Sequence, residues 1–264
     1  RLVDGLDLIA PERRNVQVLR GFLFELWEQD RDIAQYLLDS ALDQPALVTF
    51  LPMLHSAVAL DDRGVERLKQ ALYTGRVSVS TCQSLAFGGV TDHLDGNVLK
   101  DLLLLIADQP DGFNVALEIL EMRLFSDRSA QRKHESKLLE TGRELLLRIT
   151  FHKNNQRDNH NLTDIVRVCL TGLEAGPIAA EVAARLRQAV KTGETYSFDN
   201  DSLLTALLEV QPAAVLDALF VGDEDDLKAG VLVFEYLDGD QNNPADSISC
   251  ETLIAWCERD RDHR

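Results

Sequence analysis

No stretch of this 264-residue sequence approaches the roughly 18 consecutive apolar residues of a membrane span, so it contains no candidate bilayer helix. Aromatic residues make up only 6% of it, while Leu and Ala are abundant, a balance that favours helix over sheet. Strand-type alternation is nearly absent, and VLVFEYL at 231–237 is the one ambiguous run. Its four cysteines, Cys82, Cys169, Cys250 and Cys257, have no CxxC spacing and stand among apolar helical neighbours. They are expected to be buried thiols in a reducing, cytoplasmic compartment.

Signatures of chemistry are missing as well. There is no GxxxxGK[ST] phosphate loop, no GxSxG elbow, no HExxH and no GxGxxG after a strand. The six histidines (His55, His93, His134, His152, His160 and His263) are scattered, and His152 and His160 flank one polar loop at a spacing unlike that of zinc sites. Asp238-Gly239-Asp240-Gln241-Asn242 opens like a calcium loop, but Asn243 stands where a turn glycine is needed and Ser249 where the bidentate glutamate belongs. A turn before Pro244 is expected there instead. The sequence thus points away from an enzyme and calls for no cofactor or metal. It begins at Arg1 without a methionine or a charged-then-apolar leader, the pattern of an excerpt from a larger multidomain protein.

What is present is a ruler. Prolines fall at Pro11, Pro45, Pro110, Pro177, Pro212 and Pro244, spaced by 34, 65, 67, 35 and 32, which fit one or two steps of about 33 residues. Only Pro52 stands off this ladder. The two empty rungs carry the same tripeptide, Thr74-Gly75-Arg76 and Thr141-Gly142-Arg143, where glycine would end a helix as proline does elsewhere. Proline suits such corners because the first helical turn tolerates it, whereas in a helix interior its missing N–H and its ring break the ladder. The clearest corner is LLLLIADQPDGFNVALEILEMR at 102–123, where an apolar run stops at Pro110 and a second helical pattern follows; LLDSALDQP and LLTALLEVQP end on prolines in the same way.

Apolar positions at helical spacing fill the intervals. Leu2, Leu6, Leu8 and Ile9 form a lead-in stripe. Val16, Leu19, Phe22, Leu23, Leu26 and Trp27 mark a first helix, and Ile33, Leu37 and Ala41 a second after a cap at Asp30 or Asp32. LVTFLPMLHSAVAL reads as one helix after Pro45, with Pro52 in its first turn or kinking it. Ser78–Phe87 is a short helix closed by Gly88-Gly89, Asp92 or Asp95 starts the next, and one of Asp199, Asn200, Asp201 and Ser202 caps the helix to Val210. The run Asp223-Glu224-Asp225-Asp226 is read as a helix start, favoured by the positive end of the helix.

This organisation resembles the HEAT-type helical repeats and, less closely, the tetratricopeptide type, for which Gly21, Phe24 and Leu37 fall near the expected Gly, Tyr and Phe places counted back from Pro45. The resemblance lies in period and pattern over most of the chain. It implies an all-α fold, a right-handed α-solenoid of about seven to eight degenerate hairpins of ~33 residues over 1–264 as a single domain. It also implies a binding role.

Charge supplies the sharper expectations. The net charge is −17, which favours solubility and basic partners. Yet 123–157 carries nine Lys/Arg against four acids. Arg128, Arg132, Lys133, Lys137, Arg143, Arg148 and Lys153, if they line one inner groove, could track a phosphate backbone, although aromatic interleaving for stacking is sparse. The competing reading is a solvated face pairing with acids such as Glu140 and Glu144. The leading expectation is a noncatalytic interaction or scaffold module whose partner is a protein or another domain of the same chain. A nucleic-acid-binding solenoid is the alternative.

Overall fold

The computed structural model describes residues 9, 13–153, 159–234 and 243–259. The chain divides into two compact units, Arg1–Leu138 and Leu139–Arg264. The fold is all-α: fifteen α-helices and no strand occur among the described residues. None of these helices is long and apolar enough to cross a membrane. The lead-in residues Leu2, Leu6 and Leu8, the corner at Pro11, the calcium-like run 238–242 and the end of the ambiguous run 231–237 lie outside the described residues.

In the first unit, α1 (Gln17–Gln29) and α2 (Arg31–Leu42) are followed by the short α3 (Pro45–Val48) and α4 (Leu51–His55), then α5 (Asp62–Tyr73) and α6 (Val79–Cys82). A 3-10 turn at Gln83–Ala86 leads to α7 (Gly96–Ala107) and α8 (Gly112–Ser129). Capping explains several of these starts: the side chains of Asp30, Asp61 and Asp95 accept from the N–H of Ile33, Gly64 and Asn97, filling donors that have no partner within the helix. The expected single helix over 46–60 is instead two. Pro52 lies in the first turn of α4, where its missing N–H and its ring stop the turn of Pro45–Val48 from continuing.

The Pro110 corner is built as expected, and tightly. Asp111 adopts a left-handed conformation with φ 59°, and a Cβ on Gly112 would lie 1.8 Å from the Ile106 carbonyl oxygen. Only glycine allows α8 to leave α7 at that distance. The side chains of Leu102, Leu103, Ile106, Leu117, Ile119 and Leu120 are fully buried around this corner, each contributing roughly 1.5–3 kcal/mol by leaving water.

The helices contact one another in two rows. α2 packs on α5 and α5 on α7, while α1 packs on α4, α4 on α6, and α6 on α8. The α7–α8 pair joins the ends of the rows.

The division between the units falls within α9 (Ser136–Leu146). The second unit continues with α10 (Asn159–Cys169), a 3-10 turn at Leu173–Ala175, α11 (Gly176–Thr192), α12 (Asp201–Val210), α13 (Pro212–Leu219), α14 (Glu224–Val233) and α15 (Cys250–Arg259). Here α10 packs on α12, two places along the chain, and α11 on α13 and α14. Pro177 and Pro212 sit in the first turns of α11 and α13. Asp223 and Asp226 form a capping box at the start of α14, as the acidic run led one to expect.

Two expectations fail in this unit. Gly142 is not a corner but lies inside α9, where a Cβ would come within 2.3 Å of the Cys169 sulfur; it is a close-packing glycine, unlike Gly75, which does end α5 with φ 64°. Asn200 precedes α12 without a side-chain cap bond; its amide nitrogen donates to Thr195 Oγ1 at 3.0 Å and to the Tyr196 carbonyl at 2.9 Å. The cysteines also divide: Cys82 and Cys169 are buried, but Cys250 is exposed and Cys257 half-buried, since no residue of α15 is buried.

Side-chain bonds between successive helical pairs have a narrow reach. Gln35 to Asp61 and Arg143 to the Cys169 carbonyl each span 26 residues, Arg123 to the Thr91 carbonyl and Arg187 to the Leu219 carbonyl 32, and Arg167 to Glu209 42. Many serve one purpose. Arg76 donates to the carbonyl of Leu42 at the end of α2, Arg143 to that of Cys169 at the end of α10, and Arg187 to that of Leu219 at the end of α13. Each such arginine supplies a donor and a positive charge to a neighbouring helix C-terminus, whose last carbonyls lack intrahelical partners.

Candidate interaction surface

The first two helices bury little of their apolar surface. In α1 only Leu23 and Trp27 are buried, while Val18, Phe22 and Phe24 are 71%, 51% and 60% exposed. In α2 the buried positions are Ala34, Leu38 and Ala41, one step on from the expected Ile33 and Leu37. Ile33 and Tyr36 therefore face solvent, at 50% and 68% exposure. Isolated exposed apolar residues need no explanation, whereas several on one helical pair make it a candidate interaction surface.

Beside this pair lies a cleft of about 700 Å³. Its wall on α1 is Gln17, Arg20, Gly21, Phe24, Trp27 and Glu28, with Arg31 at the start of α2; the opposite side is 56–59, after α4, and the loop residues Gly88, Gly89, Val90 and His93. The Arg31 guanidinium carbon stands 5.5 Å from the centre of the Trp27 ring, within cation–π range. A second cleft of about 580 Å³ shares Trp27, Arg31, Ala59 and His93 and adds Leu60, Asp61 and Arg63. Trp, Tyr and Arg are the residues most enriched at energetically dominant interface positions, and Trp27, Arg20 and Arg31 line this cleft.

Gly21 marks the cleft. It sits in the middle of α1, where glycine costs about 1 kcal/mol relative to alanine, and a Cβ there would meet nothing within 4 Å. Neither packing nor backbone conformation requires it, since its φ is not in the left-handed region; its effect is to leave the α1 wall of the cleft flat.

The basic segment is arranged differently. Arg128, Arg132, Lys133 and Lys137 belong to the first unit, and Arg143, Arg148 and Lys153 to the second. Arg132 donates to Asp127 at 2.8 Å and to Asp92 at 3.2 Å. Arg143 binds the carbonyls of Cys169 and Thr171 and reaches Glu174 at 3.0 Å. Arg148 reaches Glu144 at 3.4 Å, Arg128 lies 5.8 Å from the centre of the Phe125 ring and Lys153 4.5 Å from that of Tyr196. Lys133 is exposed, and Lys137 packs beside Gly96, where a glycine Cβ would lie 3.0 Å from its own Cβ. Arg157 lies outside the described residues.

Two buried ion clusters hold the first unit together. Arg67, 3% exposed, donates to Asp39 at 2.7 Å and to the Gln35 carbonyl at 3.2 Å. Burial alone would raise the Asp39 carboxyl, but the Arg67 hydrogen bond and charge, joined by Arg63, hold it below its ordinary value. Arg123, 4% exposed, donates to the carbonyls of Thr91 and Leu94 and to Glu135, and lies 3.4 Å from Asp127. Both clusters tie one helix or loop to the next, and no group of three or more His, Cys, Asp and Glu suited to a metal occurs among the described residues.

No protein-family model matches the chain, and no curated protein or solved structure matches it either.

The cleft was not singled out in the sequence. Its residues fall within the first helical stripe, and the period of 3.6 alone does not separate the side of α1 that packs from the side that lines an opening. Two signals were there: an interior glycine, Gly21, and an aromatic off the apolar stripe, Phe24, one helical turn apart.

Proposed function

We propose that this chain is a noncatalytic helical-repeat module that binds another protein, or another domain of its own chain, through the α1–α2 face and its cleft. The observation that carries the reading is exposed Phe24 on the wall of a cleft it shares with Trp27, Arg20 and Arg31, on a helical pair that also leaves Phe22, Ile33 and Tyr36 unburied. A repeat stack is supported by helices packing on those two or three places along the chain, by proline corners at Pro45, Pro110, Pro177 and Pro212, and by side-chain bonds between helices that reach 24–42 residues, as from Arg63 to Asp39 and from Arg167 to Glu209. In a stack of hairpins each unit touches its neighbours alone. A right-handed, HEAT-like solenoid of ~33-residue hairpins is the arrangement that fits these features, and the cytoplasm fits the free thiols.

The nucleic-acid reading has less behind it. Phosphate tracking needs cations free to neutralise phosphates, and Arg132, Arg143 and Arg148 are already engaged by Asp127 and Asp92, by helix-end carbonyls and Glu174, and by Glu144.

The test is selection of random phage-displayed peptides on the immobilised full chain, repeated on Phe24→Ala and Tyr36→Ala. Phe24 and Tyr36 are exposed enough for these changes to leave the fold intact. Peptides should enrich on the wild type and be lost on the variants; no enrichment, or enrichment indifferent to both changes, would overturn the reading.

A further inference from the structure

Resting on the interaction reading of this cleft, we infer that its occupant is an acidic segment of a partner protein, with carboxylates on Arg20, Arg31 and the Gly88-Gly89 amides and an apolar side chain over Phe24.

The inference starts from how the first unit spends its arginines. Arg63 and Arg67 share Asp39, Arg76 holds the Leu42 carbonyl, and Arg123 and Arg132 share Asp127. Arg20 and Arg31 differ: neither has a carboxylate within ion-pair distance among the described residues, in a sequence where acids outnumber bases 44 to 27. Arg20 is held at one end by Gln17, which accepts from it at 2.9 Å, while its Nε is buried with no hydrogen-bond partner. Gln17 is a neutral acceptor, so the Arg20 charge is oriented by it without being neutralised. Arg31 lies over Trp27, fixed in place without being neutralised.

Backbone donors reinforce this. Gly88 and Gly89 have φ values of 75° and 67°, and their N–H groups make no hydrogen bond among the described residues. Consecutive amides in such a turn form a concavity that suits an anion. The lining holds a single acid, Glu28, and the Asp92 carboxylate that lies against Gly89 is paired with Arg132 at 3.2 Å. The adjoining cleft holds two acids, Asp61, which accepts from Gln35 at 2.7 Å and from the Gly64 N–H at 2.7 Å, and the exposed Asp62. The flat wall at Gly21 leaves room for a peptide backbone. The net charge of the chain favours basic partners overall, so this cleft is a local reversal of sign, the arrangement by which an interface rejects the commoner partner.

The experiment is the same peptide selection, scored for composition and followed by titration of one enriched peptide. Acidic residues next to Leu, Phe or Trp should enrich. Affinity should fall about tenfold with Arg20→Gln, about tenfold with Arg31→Gln and similarly when the peptide's Glu are replaced by Gln, a factor in keeping with hydrogen bonds to charged groups. It should weaken with added salt, and Arg148→Gln should change nothing. Circular dichroism melting of each variant separates lost binding from lost fold. Enriched peptides that lack acids, bind through Phe24 and ignore both cleft arginines would overturn this inference and leave the interaction reading standing. Enriched basic peptides would also overturn it, and no enrichment at all would overturn both.

Discussion

Mild acid should weaken the first unit through a single side chain, His55. It ends α4 at 1% exposure, and neither ring nitrogen has a hydrogen-bond partner. Burial foremost, then the charge of Arg67, depress its pKa from 6.5 to about 3, with Asp61 and Asp39 pulling weakly the other way. The folded protein therefore keeps the ring neutral while the unfolded chain takes up a proton below 6.5. Between those two values the unfolded state binds more protons, so stability rises with pH across the window, is complete above it and drains away as pH falls toward 3. A shift of this size amounts to about 5 kcal/mol at its limit and about 2 kcal/mol by pH 5, against a typical total of 5–15 kcal/mol. Urea unfolding followed by circular dichroism at pH 7 and pH 5, on the wild type and on His55→Leu, isolates the effect, because Asp39 and the other carboxylates titrate in both proteins. The wild type should lose about 2 kcal/mol more than the variant. Equal losses would show that the ring is hydrated or paired and that the reasoning about its burial is wrong.

Other outcomes follow from single contacts. Gly112→Ala places a Cβ against the Ile106 carbonyl and should destabilise by about 3 kcal/mol, the upper range of overpacking costs, measured by denaturant midpoint; a neutral result would mean that the α7–α8 corner can open. Arg143→Gln should lower stability by about 1–3 kcal/mol through the freed carbonyls of Cys169 and Thr171, while leaving binding of an enriched peptide unchanged. Under native conditions iodoacetamide should label Cys250 first and spare Cys82 and Cys169, whose thiols burial pushes up to about 12. Early labelling of Cys82, read by mass spectrometry, would contradict the packing around α6.

The helical class and its corners were legible in the sequence because proline and glycine act locally. A proline lacks its donor wherever it stands, so Pro45, Pro110, Pro177 and Pro212 had to sit at helix starts or between helices. Glycine is ambiguous, since it serves both turns and close approaches: Gly75 ends a helix, while Gly142, in the same tripeptide, makes room for Cys169. Burial was most legible where a helix is apolar all round, as at Leu102–Ile106, and on clear stripes such as Leu23 and Trp27. On α2, Ile33 and Leu37 fit the apolar period as well as Ala34 and Leu38 do, and only the neighbouring helices decide which set turns inward. For the basic segment the two readings stayed open for a similar reason. Sequence counts charges, but whether Arg132 or Arg143 meets solvent depends on carboxylates and helix ends 26 to 40 residues away.

Hydrogen exchange of the full chain with and without an enriched acidic peptide locates the interaction directly. Added protection should fall on 17–31, 56–59 and 88–93 and vanish in a chain carrying Arg20→Gln and Arg31→Gln. Protection centred on 123–157, with those arginines dispensable, would contradict the assignment of binding to the α1 cleft.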